Sequence, residues 1–218
     1  MRFIPRKSSI LFLVLLATLA CSAQQSDLPQ GIILNLDLQH IHNGLIPNKT
    51  LYPLYVPLGE LRTRTFHNRT VLEVKKGQGL EIPHSSLLDP DGRGWVATIR
   101  IFAKEDGIVL SQSNGEQGYV IQINDGAVQA TIQTGGATVV LQESAENGIT
   151  DCRNKWITID LQILPEMAIL SLNRARVAVI PLTTPLSGKE LRIHLGEPPN
   201  QPGSGFFGAI SSLKILRS

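Results

Sequence analysis

Short runs of alternating apolar and polar residues, each closed by a turn signal, follow one another from residue 31 to the end of the chain. The clearest covers residues 94–102, and residues 107–111, 118–124, 127–132 and 156–163 repeat it. Residues 31–38, 70–74, 79–82, 168–172, 177–180, 191–195 and 206–216 extend the series. Successive side chains of a strand point to opposite faces, so each run predicts a strand with one buried side. Asn114-Gly115, Asp125-Gly126 and Gly135-Gly136 tolerate positive φ and predict tight hairpins. Residues 39–69 are broken by Asn43-Gly44, Pro47, Pro53, Pro57 and Gly59 and read as irregular. Residues 86–89 would support no more than a brief helical turn. About a dozen short strands with turns between them predict an all-β antiparallel sandwich or barrel.

The first 23 residues differ in kind. Arg2, Arg6 and Lys7 precede an 11-residue apolar run, residues 10–20, and small residues follow in Ala20-Cys21-Ser22-Ala23. A helix spanning a bilayer needs about 20 apolar residues, so the run reads as a secretory signal peptide with cleavage after Ala23. Cys21 opens an alternative, because a cysteine just after an apolar run can become the lipidated first residue of a bacterial lipoprotein. Leu19 stands where that pattern prefers a small residue. Lipidation would hold the protein at a membrane without a spanning helix. Either way export to the cell envelope, periplasm or medium is expected, with residues 24–30 a polar leader and residues 31–218 one domain.

Export changes the charge. The whole chain carries 20 basic and 18 acidic residues; loss of the three basic signal residues leaves 17 against 18, a net of −1. A near-neutral domain without a basic block argues against nucleic acid as partner. Without Cys21, Cys152 has no intramolecular partner and is expected to be a small buried residue.

Taken in order, several segments resemble the laminin-G-like, concanavalin A-like lectin/glucanase jelly roll. Residues 79–83 resemble the short strand before that family's first core strand, and residues 94–101 the strand that follows. Asn154-Lys155-Trp156-Ile157-Thr158-Ile159 resembles its Gly-Lys-Trp-His-x-Val start. Residues 168–174 stand at its strand and Asp-Gly hairpin, with Asn173-Arg174 in place of Asp-Gly. Residues 207–215 resemble its closing strand, with Ser211-Ser212 as a departure. The resemblance covers about residues 31–217. It implies a two-sheet antiparallel sandwich whose first and last strands pair, here residues 32–38 with residues 210–216.

The resemblance also frames the chemistry. Retaining glycosidases of this scaffold carry Glu-x-Asp-x-x-Glu, which sets two carboxylates roughly 5–5.5 Å apart; no such run occurs, and Glu143 and Glu146 have the wrong spacing. His40 and His42 have the spacing of two metal ligands on one strand face, without a third. His67, His84 and His194 are scattered, and no Gly-x-Ser-x-Gly elbow supports acyl transfer. Family members often hold calcium at a rim; the matching loops offer Asn114, Glu116 and Asn200, thin provision for a cation that wants several oxygen ligands. No cofactor is therefore expected. Trp95 and Trp156 each begin an alternating run and are expected in the core, while Tyr52 and Tyr55 are expected at the surface. Asn48 and Asn68 are acceptor sequons for N-glycosylation in a eukaryotic secretory route.

The reading that follows is an exported, non-catalytic binding module that recognises a glycan or an extracellular or envelope protein through loops at the sandwich rim. Two alternatives stand beside it: a polysaccharide hydrolase or lyase on the same scaffold, and a structural module of a surface assembly. No catalytic or metal-binding residue is assigned, and the ligand-binding residues are left open.

Overall fold

The alternation at residues 95–105 survives in three dimensions. In a computed structural model, which describes residues 31–90, 94–143, 151–186 and 190–217, Trp95, Ala97, Ile99, Ile101 and Ala103 are buried, and the residues between them are half-buried on the other face. The predicted signal peptide, leader and Glu146 lie outside the described residues.

In chain order the strands are β1 (Gly31–Asn35), β2 (Leu45–Pro47), β3 (Tyr55–Pro57), β4 (Arg62–Phe66), β5 (Arg69–Val74) and β6 (Gly79–Ile82), followed by one 3-10 turn at Ser86–Leu88. Then come β7 (Trp95–Glu105), β8 (Gly107–Ser113), β9 (Gln117–Asn124), β10 (Ala127–Thr134) and β11 (Thr138–Gln142). The chain finishes with β12 (Trp156–Ile163), β13 (Met167–Leu172), β14 (Ala175–Pro181), β15 (Ile193–Gly196) and β16 (Phe207–Arg217).

They form two main antiparallel sheets. One has the order β14-β13-β12-β7-β16-β5-β4, with β1 also on β16; the other runs β11-β10-β9-β8-β15-β6. A separate ribbon joins β2 to β3. The expected pairing of first and last strands is present, with Gly31 opposite Arg217 and Asn35 opposite Lys214. β5 and β1 share one side of β16, β5 against Gly208–Ile210 and β1 against the far end. This is an antiparallel sandwich, as the alternation predicts, and the two-sheet jelly roll that the resemblance implies.

Between the sheets lies an almost wholly apolar core. Ile99, Ile101, Ile159 and Leu161 from one sheet and Leu110, Tyr119, Ile121 and Ile132 from the other are all fully buried. Burial of this kind is worth roughly 1.5–3 kcal/mol per large side chain, set against the conformational entropy of ordering the chain. Cys152 is buried, as expected, and burial pushes its thiol pKa up. Gly118 shows how closely the strands approach: a Cβ there would stand 1.9 Å from the Gln112 carbonyl oxygen, a contact no side chain could make.

The hairpins follow the turn chemistry. Asp125-Gly126 joins β9 to β10 with both residues at positive φ, 50° and 77°. Asn173-Arg174 does the same between β13 and β14, at 50° and 72°. Arginine in that conformation is strained where glycine would not be. Arg174→Gly is therefore expected to stabilise the fold by about 0.5–1 kcal/mol, read as a higher midpoint in urea; an unchanged or lower midpoint would contradict the turn assignment.

The expectations for residues 39–69 and for Trp156 need correction. Residues 39–69, read as irregular, contain β2, β3 and β4, because proline and exposed polar residues hide their alternation. Trp156 is not in the core. It is half-buried on the outer face of the larger sheet, sharing that face with Thr158, Asp160 and Gln162, whereas Trp95 is 1% exposed between the sheets.

Candidate functional site

Two tight turns and the exposed edge of β4 open a cleft of about 590 Å³. Gly59, Glu60, Leu61 and Arg62 come from the connection into β4, where the Leu61 amide donates to the Leu58 carbonyl at 3.2 Å. Lys75 and Gln78 come from the β5–β6 turn, closed by a Gln78 amide bond to the Lys75 carbonyl at 3.0 Å. Glu73 of β5 stands directly across the strand pair from Arg62. Leu61 is buried, while Glu60, Arg62 and Lys75 are exposed. The Glu73 carboxylate takes the Arg64 guanidinium at 3.2 Å. Among the described residues neither Arg62 nor Lys75 is ion-paired, so both cations are available to a ligand.

Lys75 also borders a shallower hollow of about 290 Å³ with Lys76, Glu105 and Phe207. Lys76 and Glu105 form an ion pair at 2.8 Å, and the Lys104 ammonium lies 4.9 Å from the centre of the half-buried Phe207 ring. The two hollows thus form one surface, with cationic donors at Arg62 and Lys75, an amide at Gln78, carboxylate acceptors at Glu60 and Glu73, and a ring beyond. A few convergent polar groups beside an apolar surface are what a hydroxyl-rich small ligand requires.

At the other end of the same hairpin, the β4–β5 tip reaches across the outer face of the larger sheet. Phe66 lies 5.2 Å from Phe102 and 5.8 Å from Trp156, although β16 and β7 separate β5 from β12. His67 stacks on Phe66 at 4.2 Å and accepts the Trp156 indole N–H at Nδ1, 3.2 Å away. Arg64 covers Phe66 and Arg100 covers Trp156, at 5.0 and 5.4 Å. Rings so engaged staple the hairpin tip to the sheet and leave no open sugar platform.

In the rim loops expected to carry a ligand or calcium, Asn114 and Glu197 are committed to backbone amides. Asn114 Oδ1 accepts from the Glu116 and Gln117 amides at 3.0 and 2.8 Å. Asn200 is exposed. The Glu197 carboxylate accepts from the amides of Gly203 at 2.6 Å, Gly77 at 2.8 Å and Gly205 at 3.4 Å. The Gly203 bond does most to hold its pKa below the ordinary 4.5, against a smaller opposing effect of burial. A carboxyl depressed on folding contributes stability that is complete above its unfolded-state value and is lost as pH falls through the folded one. Acidification below 4.5 is therefore expected to loosen the 197–205 loop, seen as faster amide exchange at Gly203 and Gly77, and Glu197→Gln to remove that dependence. Equal pH dependence in both proteins would refute the clamp.

The other singled-out residues are dispersed. His40 pairs with Asp37 at 2.7 Å, His42 lies in a turn with Leu45, and His84 pairs with Asp89 at 3.2 Å. His194 is half-buried on β15, and burial lowers its pKa. No group of three or more His, Cys, Asp or Glu is placed to hold a metal ion among the described residues. Tyr55 is 60% exposed as expected, but Tyr52 is half-buried against the core. The two sequons differ. Asn48 Nδ2 donates to the Ile33 and Tyr52 carbonyls at 3.0 and 3.1 Å, while Asn68 is exposed at the β4–β5 tip.

Among the described residues, no carboxylate whose pKa is displaced is displaced upward. Burial pushes Asp37 up, but Lys49, the Gln39 amide and His40 outweigh it and leave the carboxyl low. The Arg153 side chain, with its amide, brings Asp151 down to about 2. A glycosidase general acid needs the opposite, a carboxyl held protonated near neutral pH.

This architecture has relatives. The laminin G domain family model matches residues 101–217, more than half of the 218-residue chain, and the chain belongs to that family. Among solved structures, the binding domain of Paraclostridial Mosquitocidal Protein 1 superposes with a TM-score of 0.69 at 9% identity, over 86% of this chain and 49% of that one. The binding domain of botulinum neurotoxin serotype G gives 0.66 at 13% identity, over 85% and 47%. The CBM40 module of Ruminococcus gnavus IT-sialidase, bound to α2,3-sialyllactose, gives 0.54 at 15%, over 68% and 89%. The chain spans about half the length of the toxin domains it resembles. At these identities the likeness is one of fold. No curated protein matches the chain.

Proposed function

We propose that this protein is an exported, non-catalytic module that binds a glycan in the cleft between the β4 edge and the β5–β6 turn. The observation that carries the reading is the cleft itself: Arg62 and Lys75, neither ion-paired among the described residues, line about 590 Å³ of open space together with Glu60, Glu73 and Gln78. Such a lining matches ring hydroxyls and would also accept a sugar carboxylate at Arg62. The sialyllactose-bound module among the structural neighbours supports a glycan on this type of scaffold. The low carboxylates support binding without hydrolysis. No metal is assigned to the interaction, because Asn114 and Glu197 are taken up by the protein's own amides. Residues 1–23 supply export.

The test is a glycan-array screen of the purified protein, with calcium and with chelator, beside an Arg62→Ala/Lys75→Ala variant. Binding to a defined glycan class, equal in both conditions and lost in the variant, is the expected result. Absence of glycan binding, or binding that the variant retains, would overturn the site; loss under chelator would return the ligand to the rim loops.

A further inference from the structure

Residues 51–58, Leu-Tyr-Pro-Leu-Tyr-Val-Pro-Leu, form an eight-residue stretch without a charged side chain. They alternate in and out like any half-buried strand. Tyr52, Leu54 and Leu58 pack against the core, and Val56 is fully buried. The outward positions are Leu51, Pro53, Tyr55 and Pro57, where a water-facing strand would carry polar residues. Leu51 is 98% exposed and Tyr55 60%. Across the ribbon Leu45 pairs with Pro57 and Pro47 with Tyr55, so the outward side of β2 adds only Leu45 and Pro47.

The tip is held in place. Asn48 Nδ2 donates to the Ile33 and Tyr52 carbonyls, its Oδ1 accepts the Asn35 amide at 2.8 Å, and the Thr50 hydroxyl donates to the Ile33 carbonyl at 3.2 Å. These bonds fix Leu51 in an outward position. They also tie the tip to β1, so the polypeptide coming from its N-terminal segment enters the domain beside this face.

We propose that the outward side of the β2–β3 ribbon rests on a lipid bilayer, to which the chain is held at its N-terminal end, by a lipid on Cys21 or, where residues 1–23 are not removed, by their apolar run. Three observations favour lipid over a protein strand. Pro47, Pro53 and Pro57 each remove a backbone donor, which makes the ribbon a poor template for strand addition. Tyr55 presents an apolar ring with a polar tip, suited to the headgroup boundary. Residues 21–30 separate the apolar run from β1, and ten residues reach at most about 35 Å, which keeps the ribbon next to the surface that receives the run. A single short anchor holds marginally, and a second apolar contact makes the attachment firm and sets its orientation.

The test uses the full chain mixed with vesicles of phosphatidylcholine and phosphatidylglycerol carrying brominated acyl chains. Leu51→Trp places a reporter at the tip. Val140→Trp places one on β11, at the opposite edge of the smaller sheet from β6, beside which β3 packs; Val140 is 41% exposed. Emission from Trp95 and Trp156 is subtracted with the unsubstituted chain. The expected result is emission at position 51 that shifts to the blue and is quenched several-fold more than emission at position 140. Equal quenching at both positions, no quenching at position 51, or a full chain that stays in the aqueous fraction would overturn the proposal.

Discussion

Replacing Arg62 and Lys75 together by alanine is expected to lower glycan affinity by at least about 100-fold while leaving the melting temperature within a degree or two. Both residues are exposed, and neither is ion-paired among the described residues. Surface substitutions of that kind cost about 0.5 kcal/mol or less in stability. In the complex each would form charge-assisted bonds worth roughly 1.5–3 kcal/mol, and two such losses reach the stated ratio. Titration calorimetry with the glycan class found on the array, together with a melting curve, separates the two effects. A variant that loses binding and melting temperature together would mean that Arg62 and Lys75 hold the cleft's shape instead of touching the ligand.

Trp95→Ala is expected to cost about 3–5 kcal/mol, as a large core deletion does, and to lower the melting temperature by roughly 10 °C. The Trp95 ring is 1% exposed and packs 4.7 Å from Tyr119 across the two sheets, so its loss leaves a hole that neither sheet can close. Trp156→Ala should cost about half as much or less, because it removes outer-face ring contacts worth roughly 0.5–1.5 kcal/mol each while the core stays filled. Its signature is local: amide exchange should quicken at the β4–β5 tip, which His67 and Phe66 anchor on the indole. Equal destabilisation by the two substitutions would contradict the distinction between core and outer face.

That distinction was partly legible. Period two assigns Trp95 to the side of Ala97, Ile99 and Ile101, and Trp156 to the side of Thr158, Asp160 and Gln162, so the polar company of Trp156 was itself a signal of an outward ring. β4 was hidden for a different reason. Arg62, Thr63, Arg64 and Thr65 are all exposed, leaving no apolar face to read; β4 is held by its ladder to β5 and by the Phe66 ring. The turn at its tip was equally quiet, because His67-Asn68 takes positive φ without a glycine to announce it. Residues 51–58 were masked by their prolines, although the absence of any charge there was visible from the start.

Alternation and turn chemistry are local properties, and from them the sequence by itself determined the strands outside residues 39–69 that carry an apolar face, the hairpins at Asp125-Gly126 and Asn114-Gly115, and the buried side of the long strands. The order of motifs along the chain added the jelly roll and the pairing of its ends. Only the tertiary structure decided where a ligand could sit. The cleft joins the connection before β4 to the turn after β5, and the indole that steadies the far tip of that hairpin is 89 residues from its histidine partner. Likewise the Glu197 clamp on Gly77 spans 120 residues. Contacts of that range depend on which strands become neighbours and on how far each sheet curls, and those are settled by packing of the whole core rather than by any segment of the chain.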